Sequence, residues 1–339
     1  MESWMVSNLV VAVLLVGGAW IAVAVSRHDI WRAAVQQVWK RRPGAVLVVC
    51  VYVLLALLDS VAWRGNVDTG SDVVAQHEAV TLLERLFGDA QEKSYSAPLA
   101  DIEFYDHSPL KHPGSHLFGT DILGGDVFLM TLKGARVALL IGGLTSLIAI
   151  PLALLFGIPA GYFGKRIDDV VFFIMSTLAS IPTLLLLISI TVALGRSTLV
   201  VCFALAVTSW VGFCRIARGE TMKLREMDYV HAARLMGASE TTIILRHILP
   251  NLMHLVVITF VLMFSGLVLS EAVLAWLGIG VNGSWGLMIA KAKDELSRDP
   301  AVWWNVGGAG VGLFGLLLAV NFLGDAVRDA LDPRTRKES

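Results

Sequence analysis

The side chains able to hold a metal or move a proton are few in this sequence, and their spacing limits what each can do. His107, His112 and His116 fall in one short stretch, DHSPLKHPGSH. Neighbouring imidazoles raise the question of a metal site, but the prolines and glycine suit an irregular loop, and no cysteine stands near to complete a ligand set. The stretch reads as loop chemistry. Cys50, Cys202 and Cys214 each sit in an apolar run. Three scattered thiols make neither a disulfide framework nor a zinc site, and they read as small buried apolar residues. No GxxxxGK[ST] occurs, so there is no P-loop to hold a nucleotide.

Glu271 is different, because an ionisable residue inside an apolar run is by default a functional candidate. Near the outer end of its run it is exposed to less than the ~3 kcal/mol that a midplane charge costs. Two roles stay open for it, a place by a translocation path or a hydrogen bond to a neighbouring helix. Asn321 and Asp325 read as a helix-end network.

The elements that carry these residues belong in lipid. Of 339 residues 56% are hydrophobic and 16% charged, against roughly 45–50% and 25% in soluble domains. The net charge of -1 gives no reason to expect nucleic acid. Seven runs are long enough to cross a core about 30 Å thick, at 6–25, 45–62, 137–163, 170–194, 199–215, 254–274 and 304–323. Lipid satisfies no backbone polar group, so these runs are expected to be helices of an all-α polytopic membrane protein. The run at 6–25 lacks a basic flank and a cleavage site, and is expected to stay as a span.

Lys and Arg concentrate in 27–42, at Lys165 and Arg166, between Arg215 and Arg246, and in the tail from Arg328. One topology places all four in the cytoplasm, with the N-terminus outside and the C-terminus inside. Trp63, Trp276, Trp303 and Trp304 then fall at an outer interfacial belt. The expected organisation is an extra N-terminal helix at 1–26, an amphipathic linker on the membrane lipids at 27–43, and a span at 44–62. An outer segment at 63–134, a membrane core at 135–325 and a tail at 326–339 follow. In the outer segment VTLLERLFGDA reads as a helix. Pro151, Pro159 and Pro182 are expected to bend their spans, and Gly142, Gly143 and Gly157 to allow close packing.

Between two of these apolar runs lies DYVHAARLMGASETTIILRHILPN. Ala232 and Ala233 favour a helix, Gly237 permits a left-handed turn, Ser239 is placed to cap a second helix, and Pro250 is expected to end it. A first helix of about two turns is marginal alone and needs a surface to lie against.

This stretch resembles the cytoplasmic EAA loop of permease subunits in binding-protein-dependent ABC importers. The likeness is carried by Ala232, Ala233, Gly237, Ile248, Leu249 and Pro250. HLFGTDILGGDVF (116–128), KGARVALLIG (133–142), EAVLAWLGIG (271–280), GSWGLMI (283–289) and NFLGDAVRDALDPR (321–334) resemble the dipeptide, oligopeptide and nickel branch, C-type subunit, over about 42–334. The resemblance implies a type I (MetI-like) importer fold of six family helices plus the extra one. It also implies that the loop, 216–253, docks a short helix into a groove on an ATPase through Tyr229, His231, Ala232, Ala233, Gly237, Ala238 and Ser239. The implied partners are a second permease, two ATPases that bind ATP and Mg, and a periplasmic or lipid-anchored binding protein. This chain itself would bind no cofactor and act as no enzyme, in the inner membrane of a bacterium. Two substitutions depart from the family pattern: His231 stands for a glutamate and Gly125 for an arginine of GTD-x-x-G-R-D. The rival readings are an ion-gradient-driven transporter or channel, which would show mid-membrane charges and broken helices, and an intramembrane enzyme, which would need a nucleophile with its base.

Overall fold

A computed structural model describes residues 29–64, 79–87 and 91–331; the expected span at 6–25 lies outside them. The chain divides into two compact units, one of residues up to Leu139 with Ala275–Ala326, the other of Leu140–Leu274 with the chain from Val327.

In the first unit α1 (Asp29–Arg41) is the expected linker helix, and α2 (Pro43–Ser60) follows with proline at its start, where a missing N–H costs nothing. Most of α2 faces outward, Cys50 included, so that cysteine is not the buried residue its apolar neighbours suggest. The fold is not purely helical. Strands β1 (Ala62–Arg64) and β2 (Ala79–Thr81) pair antiparallel, Ala62 opposite Thr81 and Arg64 opposite Ala79. Helix α3 is shorter than its pattern, Leu82–Phe87. Its start is fixed by a capping box in which Thr81 N donates to Glu84 Oε2 at 2.7 Å and Glu84 N to Thr81 Oγ1 at 3.2 Å.

Residues 91–126 are irregular, and a small aromatic core of Tyr95, Val127, Val302 and Trp304 closes them. Trp304 is therefore a core residue, 2% exposed, and not part of an interfacial belt, whereas Trp276 and Trp303 remain exposed. Helix α4 (Val127–Phe163) is 37 residues long and runs through Pro151 and Pro159 without a break. At 1.5 Å per residue it is about 55 Å long.

In the second unit the run 170–194 is not one helix. It divides into α5 (Lys165–Ser180) and α6 (Thr183–Leu194), bent by 87°. Pro182 forces Ile181 into extended backbone, φ -88° and ψ 128°, which no helix continues through. The bend expected at Pro182 is therefore present, and it is sharp enough to break the run into two helices, whereas Pro151 and Pro159 interrupt nothing. Helix α7 (Thr198–Leu224) is half buried, capped by Ser197, and approached by α4 at Gly157 and Gly161. A side chain at Gly157 would come within 2.9 Å of the Cys214 carbonyl. This GxxxG spacing lets two backbones touch. Gly142 packs closely in the same way, against Phe264, but Gly143 meets open space.

Helices α8 (Asp228–Leu235) and α9 (Glu240–Ile243) form the expected helix–corner–helix. Pro250 does not end the second helix. A π turn at Ile244–Ile248 leads directly into α10 (Leu249–Trp276). There Leu249 N reaches back to Ile244 O, and the widened turn accommodates both the ring and the donor that Pro250 lacks. Helices α11 (Trp285–Leu296) and α12 (Trp304–Leu331) complete the chain. Among the described residues five helices are long and apolar enough to cross a membrane, six if the bent pair counts as one.

Candidate functional site

The elbow of α8 and α9 is built as its residues dictate. Asp228 sits in the first turn of α8, favourable at the positive end of the helix. Gly237 has φ +82°, the left-handed conformation that ends the helix, and its N–H donates to Arg234 O at 3.0 Å. Ala238 N reaches Ala233 O at 3.1 Å, and Ser239 Oγ accepts from Thr242 N at 3.3 Å as the cap of α9. Seven sequence candidates, Tyr229, His231, Ala232, Ala233, Gly237, Ala238 and Ser239, are brought onto this one feature.

They do not all point the same way. Val230 and Ala233 are buried with Ile158, Tyr162, Ile243, Ile248 and Leu252. Ala233 therefore packs on its own unit and is not part of a small-residue face open to a partner. Ala232, His231 and Gly237 are exposed. The outward surface is dominated by two residues that pattern reading passed over, Leu235 at 89% and Met236 at 81% exposure. The available signal was that Leu235 falls on the helix face opposite Val230 and Ala233, while Met236 follows the last helical residue at the corner.

Polar contacts fix the elbow to the end of α4. Tyr162 OH donates to Glu240, Arg234 Nη2 donates to Tyr162 OH at 3.1 Å, and the Arg234 guanidinium lies 5.8 Å from the Tyr162 ring centre. Arg225 Nη1 donates to Gly161 O at 2.9 Å, a cation on the carbonyl end of α4. Arg218 grips Asp168 with both arms, tying α7 to α5. The sequence shows these cations only as topology markers, with nothing to pair them. The bond with Tyr162 favours the charged guanidinium and raises the affinity of Arg234 for its proton. Burial raises the Tyr229 phenol, which accepts from Asn251 Nδ2 at 3.3 Å. His231 Nε2 stands 3.9 Å from Glu226 Oε2, both on the surface, where such a pair contributes little.

The other candidates fall elsewhere. Glu271 is 4% exposed in the second unit, five residues before α10 ends. Asn321 lies in the first unit, exposed and ten residues before α12 ends at Leu331, so it does not mark a helix end. Asp325 is likewise still within α12.

The histidine stretch is a polar anchor. His116 is buried with Nδ1 2.8 Å from Asp126 Oδ2, and Glu92 accepts the backbone N–H of Lys111 at 3.0 Å and of His112 at 2.8 Å. Burial pushes the Glu92 carboxyl up, but the backbone donors of Lys111 and His112 together with the His116 and His112 side chains outweigh it and hold it below the usual range. Among the described residues no group of metal-ligating side chains has metal-site geometry. The departure at Gly125 costs the turn nothing visible, because its N–H donates to Asp121 Oδ1 at 2.8 Å and its carbonyl accepts from Asp121 N at 3.0 Å.

A mostly helical polytopic protein with an exposed apolar elbow is the architecture of a membrane transport component. Residues 153–337 match the family described as "Binding-protein-dependent transport system inner membrane component", and the chain belongs to that family, as a multi-pass inner membrane protein. A relative in Brucella abortus, provisionally named a peptide transport system permease protein, is 40% identical over 231 residues, 67% of this chain and 76% of that protein. The dipeptide transport system permease protein of Bacillus subtilis is 36% identical over 229 residues, 66% of this chain and 70% of that protein. A chain of the inward-facing MetNI methionine ABC transporter gives a TM-score of 0.49 at 19% identity, covering 60% of this chain and 97% of that one.

Proposed function

We propose that the chain is one of two transmembrane subunits of an ATP-driven importer of di- or oligopeptides or related solutes, with a type I, MetI-like core at 135–325. The names of its relatives support the cargo class. ATP and Mg act on two partner ATPases, a second permease completes the pathway, and an external binding protein delivers substrate. In this reading the N-terminus is outside, the C-terminus and the loop 216–253 are cytoplasmic, and 1–26 is an added helix. The chain performs no covalent chemistry.

One observation carries the coupling role: Leu235 and Met236 stand almost fully exposed beside a left-handed glycine, on an elbow whose opposite face is packed. An exposed apolar pair at a rigid corner is the anchor a partner groove takes. Closure of the ATPases pushes on α8, and Tyr162 carries the push into α4 in addition to α7 and α10, which continue from the loop. His231, Ala232, Ala238 and Ser239 shape the corner around this anchor.

Gly237→Val tests the role in the assembled complex. A β-branched residue at φ +82° is strained and re-aims the corner. Insertion into the membrane is expected to be intact, while uptake per ATP hydrolysed falls at least about tenfold, a loss of ~1.4 kcal/mol in coupling. Unchanged uptake and unchanged ATPase stimulation would refute the assignment. Copurification of an ATPase with the wild-type chain separates this reading from an ion-driven transporter.

A further inference from the structure

A cavity of about 210 Å³ lies within the first unit along α11. Met130, Leu287 and Met288 give it an apolar wall, and Asp121, Glu295 and Asn305 a polar one. These three acceptors are brought together by specific bonds. Trp304 Nε1 donates to Thr120 O at 2.8 Å, which sets Asp121 near Asn305, and Asn305 Nδ2 donates to Glu295 Oε2 at 2.5 Å. Glu295 is 5% exposed, and its other oxygen accepts from Tyr95 OH at 3.1 Å. Burial, then the charge of Glu295, pushes the Tyr95 phenol up to about 12, so it remains a donor.

The Asn305 amide has one workable orientation, because turning it over would set its oxygen against a carboxylate oxygen. Its Oδ1 is left buried with no hydrogen-bond partner, in a residue 5% exposed. An orphaned buried acceptor beside two carboxylates calls for a donor with positive charge. The cavity exceeds the ~30 Å³ share of one water several-fold, and a water alone gains nothing from the methionine wall. Lys291, exposed along the same lining, supplies the opposite charge, while the other lysine of the lining, Lys133, is paired with Glu84.

We propose that this cavity binds the α-ammonium group of a free amino acid or of a short peptide's N-terminus, its side chain against Met130 and Met288 and its carboxyl or carbonyl oxygen toward Lys291. The site is separate from the elbow, and the proposal does not rest on the coupling role.

The test is calorimetric binding to the assembled complex in nanodiscs, without its binding protein, using L-leucine, leucinamide, 4-methylpentanoate, leucyl-leucine and N-acetyl-leucyl-leucine. Leucine or leucyl-leucine is expected to bind together with leucinamide, whereas 4-methylpentanoate and the acetylated dipeptide are not. Binding of leucine identifies free amino acids as ligands; binding of leucyl-leucine without leucine identifies the peptide N-terminus. Glu295→Gln should weaken these ligands at least about tenfold, the scale of one charge-assisted bond. Lys291→Ala, on an exposed residue with little bearing on folding, should weaken leucine, whose carboxylate is charged, more than leucinamide, whose carbonyl is neutral. Equal binding of 4-methylpentanoate, no response to any probe, or equal effects of Lys291→Ala on leucine and leucinamide would overturn the proposal. ATP-driven uptake by the Lys291 variant reports separately on the transport reading.

Discussion

The loop region at 91–126 and the elbow solve the problem of holding irregular chain in opposite ways. Around α11 and residues 91–126, most buried polar groups, Asn305 Oδ1 being an exception, find partners within the region itself: Trp285 Nε1 on Thr131 O at 2.8 Å, Trp304 on Thr120, His116 on Asp126, Glu92 on two backbone donors. The elbow has a small apolar core and a surface latch, and leaves its largest apolar side chains in the open. The first arrangement is held together by bonds within one chain. The second is shaped for something that is not there.

The comparison can be broken most forcefully at Trp285. Its ring is 2% exposed, stands edge-on to Tyr52 at 5.9 Å, and is accommodated by Gly134 and Gly312, where any side chain would collide with it. Trp285→Ala should cost about 3–5 kcal/mol and lower the thermal midpoint of the purified chain sharply. A small effect would show that the loop region is not self-contained.

Glu92→Gln should cost about 1–3 kcal/mol, because backbone donors at Lys111 and His112 lose a charged acceptor. The wild-type carboxyl is held below its ordinary range, so its contribution is present above the unfolded value and disappears as pH falls through the lower folded one. The protection of residues 108–118 against hydrogen exchange, relative to the intrinsic rate at each pH, should therefore fall on acidification in the wild type, and much less in the variant.

Tyr162→Phe keeps the ring in its pocket but removes the bridge to Arg234 and Glu240. About 1 kcal/mol is expected, read as faster exchange at 228–243, with a fall in uptake per ATP hydrolysed. If exchange rises and coupling does not change, α4 lies outside the force path.

Leu235→Glu should alter the stability of the isolated chain least, within about 0.5 kcal/mol, since 89% of the side chain already meets solvent. The contrast lies in assembly, where the same variant should fail to retain an ATPase on copurification. Retention would remove the partner from the argument.

How much was legible in the sequence follows the same division. The elbow was readable because its signals are local: a glycine that takes a positive φ, a serine three residues before the amide it caps, an aspartate in the first turn. Its outward anchors escaped notice because the eye went to Ala232 and Ala233, and only the packing of Val230 tells which face is inside. Spans were legible from hydropathy and a bend at Pro182 from its residue type, but its 87° size was not, because Pro182 weighs the same as Pro151 in a sequence while only one of them interrupts a helix. Pro250 misled for a similar reason, since a π turn upstream removes the conflict a proline usually creates. In the loop region almost nothing was legible. Tyr95 with Glu295 or Trp304 with Thr120 are partners some two hundred residues apart, and no spacing encodes them.

The unbroken length of α4 has a mechanical meaning. A rod of roughly 55 Å cannot be contained in a hydrocarbon layer of about 30 Å, so its ends stand clear of the lipid or it lies steeply inclined. A change of inclination of only about 5° displaces one end relative to the other by roughly 5 Å, close to the rise of one helical turn. A stiff rod of that length would turn a slight rotation at the Tyr162 end into a shift of about one helical turn at the other.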